Sequence, residues 1–170
     1  MKDKLLILDL DETLIHSEMN GLGHQHDFRC SDYYVYKRPF LEEFLEFIAS
    51  LFEVAVWTSA SSDYADCIIS NIFPENYPLK FVWSRERCTR MYVHPSETIE
   101  MNSFTYVKDM KKVKNKGYDL RKILVIDDSP EQLQRSYGNL IQVKQFSGEE
   151  DDNELYFLKS YLAILKNVMT

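Results

Sequence analysis

The chain has 170 residues, 45% hydrophobic and 28% charged, with a formal net charge of −7. That length fits one domain with a real core, and the balance of apolar and charged residues excludes a disordered chain. The acidity argues against broad gripping of nucleic-acid backbones, which takes a basic face, although a local basic groove stays open.

Met1 to Lys4 lead into no long apolar region, so no signal peptide or membrane span is expected and the protein should be soluble, cytoplasmic, or nuclear in a eukaryote. Cys30, Cys67 and Cys88 are widely spaced with no CxxC pair, which predicts reduced thiols. Leu5-Leu6-Ile7-Leu8 then runs into Asp9-Leu10-Asp11-Glu12-Thr13. The apolar run reads as a strand buried on both faces, as in a parallel sheet. Asp9 falls at its carboxyl end, where open α/β sheets place their ligands, and Asp11 in the turn just past it. Two carboxylates this close raise one another's pKa. Either a metal ion relieves the repulsion or one carboxyl keeps its proton. The plainer alternative is that Asp9 ends the strand and Asp11 caps a turn.

Asn20 to Asp27 is a Gly- and His-rich loop, whose histidines, with His16, read as solvated rather than as zinc ligands. Tyr33 to Tyr36 is a short strand. Phe40 to Leu51 shows helical spacing behind Pro39, with acids in the first turn. Phe52 to Trp57 is the second core strand. It ends in Thr58-Ser59-Ala60-Ser61-Ser62, a hydroxyl-rich turn entering a helix from Asp63 to Ile72. Such a turn can cradle a phosphate with hydroxyls and free backbone N–H groups, or simply cap the helix.

Leu79 to Trp83 is the third core strand. Residues 85–105 carry Arg85, Arg87 and Arg90 and are too short for a domain; they are predicted to form a β-hairpin flap. Trp83, Tyr92 and Phe104 read as packing of that flap, with an apolar wall for a substrate as the alternative. Lys108 is a point charge suited to phosphate, or part of a solvated basic face. Lys122 to Ile126 is a further buried strand closed by Asp127-Asp128-Ser129-Pro130, with Pro130 starting a helix and Ser129 capping it. Leu140 to Val143 is the last strand, and Asn153 to Met169 a closing amphipathic helix. Asp9/Asp11 and Asp127/Asp128 form an oxygen-only set that suits Mg²⁺ rather than zinc.

The pattern Asp9-x-Asp11-x-Thr13 after a buried strand, followed by Thr58, Lys108 and Asp127/Asp128, resembles the phosphatase branch of the haloacid dehalogenase superfamily. Trp57-Thr58-Ser59-Ala60-Ser61, Lys37-Arg38-Pro39, Arg85-Glu86-x-Cys88 and Tyr106-Val107-Lys108-Asp109-Met110 narrow the likeness to the RNA polymerase II C-terminal-domain phosphatases and their small relatives. The resemblance implies a three-layer α/β/α fold around a parallel sheet of order 5-4-1-2-3. It also implies one domain over 1–170, with a flap at 85–105 and no large cap domain.

The same resemblance implies a Mg²⁺-dependent phosphomonoester hydrolase working through an aspartyl-phosphate. Asp9 would be the nucleophile and Asp11 the general acid/base. Mg²⁺ would be held by Asp9, Asp128 and the backbone carbonyl of Asp11, with Asp127 completing the cluster. Thr58 and Lys108 would hold phosphate oxygens, and Thr13, Ser59 and Arg85 would complete the substrate contacts. The expected partner is a phosphoserine or phosphothreonine in a protein or peptide, met by a monomer away from any membrane. Two alternatives stand beside this. Lys111, Lys112, Lys114 and Lys116 give local basic surface for a nucleic-acid-end or metabolite phosphatase, and the same fold can serve as a catalytically weak binding scaffold.

Overall fold

The computed structural model describes residues 2–92 and 104–168. In chain order its first half contains β1 (Leu5–Leu8), β2 (Ile15–Glu18), β3 (Phe28–Cys30), β4 (Tyr33–Lys37), α1 (Leu41–Leu51), β5 (Glu53–Trp57) and α2 (Ser62–Ile72). There follow β6 (Leu79–Trp83), β7 (Thr89–Tyr92), β8 (Phe104–Val107), α3 (Lys111–Lys114), β9 (Ile123–Asp127), β10 (Leu140–Gln142) and α4 (Glu154–Val168).

The central sheet is parallel, in the order β10-β9-β1-β5-β6. Counting only these core strands, that is the expected 5-4-1-2-3. Its three inner strands, β9, β1 and β5, are apolar on both faces because both are covered. Alternation then sorts the side chains. Leu6, Leu8, Val54, Val56, Leu124 and Ile126 enter one core with α1, α2 and α4. Leu5, Ile7, Ala55, Trp57, Ile123 and Val125 enter the other. Each such aliphatic side chain contributes roughly 1.5–3 kcal/mol by its burial.

The two covers differ. The first is made of full helices. The second is made of the β7–β8 hairpin, the single turn of α3 and a 3₁₀ turn at Pro130–Leu133, which supply Cys88, Met110, Val113 and Leu133. The helix predicted from Pro130 is therefore only a 3₁₀ turn. Gln132 closes that turn on Ser129, and its carbonyl accepts from the backbone N–H of Lys108, so the segment is tied to the flap strand after one turn. Helix α1 begins one residue later than predicted, because Phe40 sits in the left-handed region at φ 66°.

The flap exists as predicted, an antiparallel β7–β8 pair running Thr89↔Val107 to Tyr92↔Phe104; its stretch 93–103 lies outside the described residues. Trp83 is buried against Trp57 and Phe81, and Tyr92 pairs loosely with Phe104, their ring centroids 6.5 Å apart.

A second sheet, β2-β4-β3, is antiparallel and stands beside the carboxyl end of β1. The sequence showed only its central strand. The thiol expectation needs correction. Cys30 at the end of β3 is bonded to Cys67 of α2, with their Cα atoms 6.0 Å apart, and only Cys88 is free. Linear spacing hid this pair, because the two residues meet only once β3 folds back along α2. No helix among the described residues is long and apolar enough to cross a membrane.

Candidate active site

The buried run Leu5–Leu8 delivers Asp9 to the tip of the middle strand, where the Asp9 N–H donates to the carbonyl of Ile126 at 3.0 Å. The chain then turns sharply. Leu10 stays in the core, its carbonyl accepts from Thr13, Leu14 and Ile15, and Glu12 takes φ 62°. That left-handed residue turns the chain after Asp11, so that the N–H groups of Thr13, Leu14 and Ile15 come back to Leu10 instead of continuing the strand. On the neighbouring strand, β9 ends in Asp127, followed by Asp128.

Asp9, Asp127 and Asp128 offer oxygens that all lie within 4.8 Å of one another. Lys108, fully buried, reaches between them. Its Nζ donates to Asp9 Oδ1 and to Asp127 Oδ2, both at 2.6 Å. Burial works against a charge on Lys108, but the two carboxylates outweigh it and hold its pKa above the usual value. Burial pushes the Asp9 carboxyl up, opposed by Lys108 and reinforced by Asp127. Burial, with Asp127 adding to it, also raises Asp128. Three carboxylates against one ammonium leave two formal negative charges on hard oxygen ligands. That donor set fits Mg²⁺.

Asp11 faces elsewhere. Tyr64 of α2 donates its hydroxyl proton to Asp11 Oδ1 at 2.6 Å, and its oxygen lies 2.9 Å from Ser17 Oγ. Burial raises the Asp11 pKa while the Tyr64 hydrogen bond opposes the rise. Its carboxylate stands outside the three-acid group.

Thr13, expected at the substrate, is buried instead. Its hydroxyl donates to Asp128 Oδ1 at 3.0 Å and accepts from the Asp128 N–H at 3.2 Å. Ser129, expected as a helix cap, donates its hydroxyl to Asp128 Oδ2 at 3.1 Å. Both side chains thus hold Asp128. Thr58 is buried at the tip of β5, where its Oγ1 accepts from the Ala60 N–H, and Ser59 follows it, half-buried. Arg85 is exposed at the start of the flap; its Nε donates to the Ser59 carbonyl at 2.8 Å and its guanidinium lies over Tyr106.

Two features were not legible as site elements. Tyr64 carries no signal in the sequence beyond its place in the helix from Asp63 to Ile72. Arg38 was noted only within Lys37-Arg38-Pro39. It is fully buried and forms two hydrogen bonds to Asp152, Nε–Oδ1 at 2.8 Å and Nη2–Oδ2 at 2.9 Å. Its Nη1 donates to the carbonyl of Thr13 at 3.0 Å. The pair thereby fixes the loop that holds Asp128.

The family model described as "NLI interacting factor-like phosphatase" matches residues 4–170. CTD small phosphatase-like protein 2 of Dictyostelium discoideum is 34% identical over 96% of this chain and 27% of its own length. The human carboxy-terminal domain RNA polymerase II polypeptide A small phosphatase 1 is 30% identical over 98% of this chain and 61% of its own. The chain thus spans about a quarter of the first relative and three-fifths of the second. Among solved structures, that of Fcp1, an essential RNA polymerase II CTD phosphatase, shares the fold with a TM-score of 0.57 at 22% identity, over 96% of this chain and 49% of that one.

Proposed function

This chain belongs to the NLI interacting factor-like phosphatase family, and from that premise we propose that it is a Mg²⁺-dependent phosphatase of phosphoserine or phosphothreonine in protein segments. The observation that carries the reading is the buried Asp9–Lys108–Asp127–Asp128 cluster beside an Asp11 that is held apart by Tyr64. Relatives named as phosphatases of the polymerase C-terminal domain favour a protein substrate.

Asp9, Asp127, Asp128 and the Asp11 carbonyl would hold the ion. Bound there, Mg²⁺ supplies charge neutralisation for the phosphoryl group. Lys108 occupies Asp9 Oδ1, which leaves Oδ2 for in-line attack on phosphorus. A new P–O bond forms to Asp9 as the ester P–O bond breaks, and Asp11 gives its proton to the departing oxygen. Water then hydrolyses the aspartyl-phosphate while Asp11 takes a proton back. Tyr64 holds one Asp11 oxygen, leaving the other for this transfer. The Thr58–Ser59 turn and Arg85 supply contacts at the mouth of the crevice.

The test is turnover of p-nitrophenyl phosphate and of a phosphoserine peptide with Mg²⁺. Activity that vanishes on chelation and in Asp9→Asn, with peptide preferred over phosphometabolites and DNA ends, is the expected result. Activity in Asp9→Asn equal to the unsubstituted protein would remove the covalent route.

A further inference from the structure

A cavity of about 250 Å³ opens beside Asp11, lined by Ser17, Tyr33, Ala60, Ser61, Tyr64 and Arg85. Three pieces of the fold meet there: β2 with Ser17, the β3–β4 tip with Tyr33, and the start of α2 with Ser61 and Tyr64. Tyr33 packs edge-on against Tyr64, with ring centroids 5.8 Å apart. Tyr64 in turn holds Asp11 and Ser17. One turn further along α2, Cys67 is bonded to Cys30, three residues before Tyr33. The bridge and the aromatic pair thus fasten the same tip to the same helix.

The two sides of this junction are not equally anchored. Helix α2 buries Ala65, Ile68 and Ile72 in the main core, contacts in which the bridge takes no part. The tip has less. Strand β3 is three residues long and lies on the edge of its sheet. Between β3 and β4 the chain turns through exposed Ser31 and Asp32, with Ser31 in the left-handed region at φ 55°, a conformation that non-glycine residues disfavour. Cys30 is buried, whereas Cys67 is partly exposed.

We propose that the Cys30–Cys67 disulfide is a redox-responsive brace for this cavity, holding Tyr33 as the wall of a subsite for the substrate segment flanking the phosphorylated residue. The proposal rests on the phosphatase reading above and adds its regulation. A dithiol reductant opens the brace. Its thiolate attacks Cys67 Sγ, the S–S bond breaks, and Cys30 leaves as a thiolate that takes a proton. The reductant's second thiol then resolves the mixed disulfide. Two electrons pass from the reductant, which ends as a disulfide, to the protein, which ends with two thiols. The tip then loosens and Tyr33 leaves the wall, while Asp9, Lys108 and Asp128, held on β1, the end of β8 and β9, stay in place. Extended substrates should feel the change and small ones should not.

The experiment compares the oxidised chain, the same chain reduced with a phosphine, and Cys67→Ser. Thiol labelling with a maleimide after denaturation should count one thiol oxidised and three reduced. KM for a phosphoserine peptide should rise roughly three- to tenfold on reduction and in Cys67→Ser, the scale of ordering one or two interface side chains. Turnover of p-nitrophenyl phosphate should not change. Amide exchange should rise across residues 28–35 on reduction, but not across α2. Three thiols under oxidising conditions overturn the proposal, as does a peptide KM indifferent to redox state. An equal loss on peptide and small substrate also overturns it, since that marks general damage. Failure of the parent reading looks different: neither substrate turns over in either state, while the exchange measurement still decides whether the brace holds the tip.

Discussion

Arg38 and Asp152 offer the sharpest quantitative test of how the crevice is held. Their side chains are 0% and 4% exposed, and three guanidinium hydrogen bonds of 2.8–3.0 Å join α1's approach, the start of α4 and the Thr13 carbonyl. Asp152→Asn leaves a guanidinium buried against a neutral amide. Removing one partner from such a pair costs about 3–5 kcal/mol, against a total stability of about 5–15 kcal/mol. At about 2–4 °C per kcal/mol for a domain of this size, the melting temperature should fall by roughly 6–20 °C. Circular dichroism melts and urea titrations measure it. The double variant Arg38→Met with Asp152→Leu should lose less than either single variant, because no charge is then left uncompensated. A drop below about 3 °C in Asp152→Asn, or a double variant worse than both singles, would refute this reasoning.

The same pair makes stability depend on pH. Burial works to raise the Asp152 carboxyl, but its hydrogen bonds to Arg38 prevail and hold it below its ordinary value. A depressed folded-state pKa means stability present above the unfolded value of about 3.9 and lost as pH falls through the folded one. The gap in urea midpoint between the parent chain and Asp152→Asn should therefore be constant near neutrality and narrow below about pH 4. Thr13→Val keeps the shape but frees Asp128, and should weaken Mg²⁺ binding by roughly 10–100-fold, the range for residues that orient metal ligands; calorimetric titration with Mg²⁺ checks it, and unchanged affinity counts against the assignment. Asp11→Asn should lose most turnover yet still accept beryllofluoride on Asp9, and the absence of any adduct argues against a separate acid/base role. Lys108→Met should cut turnover at least about 100-fold, judged by single-turnover kinetics, if the ammonium orients Asp9 and meets phosphate as a charged donor worth several kcal/mol.

Much of this site could be read from the chain because its signals are local. Leu5–Leu8 alternates between two cores and ends in Asp9, and Ile123–Ile126 repeats the device before Asp127 and Asp128. Parallel strands expose their carboxyl tips on one edge, so acids at two tips were bound to meet if the strands were neighbours. The neighbour relation itself came only from family likeness. Lys108 was recognisable in the same way, since in composition it is one lysine in a basic run.

What escaped was pairing across long separations. Arg38 and Asp152 are 114 positions apart, and neither carries a local pattern that names the other. Cys30 and Cys67 join a three-residue strand to a helix, and such a strand is too short to show alternation. Thr13 and Ser129 were assigned to substrate and to a cap because hydroxyls there commonly serve those ends; in the fold, both turn toward Asp128.

Lys108 carries one more consequence. An internal ammonium wedged between Asp9 and Asp127 acts as a resident counterion for those two acids, so loss of a divalent ion leaves neither of them without a cation partner. The fold should therefore survive removal of an ion from this site. Chelators should silence the proposed activity and lower the melting temperature only by what ion binding adds through mass action, a result that would mark the ion as a reagent taken up on demand and not a staple of the architecture.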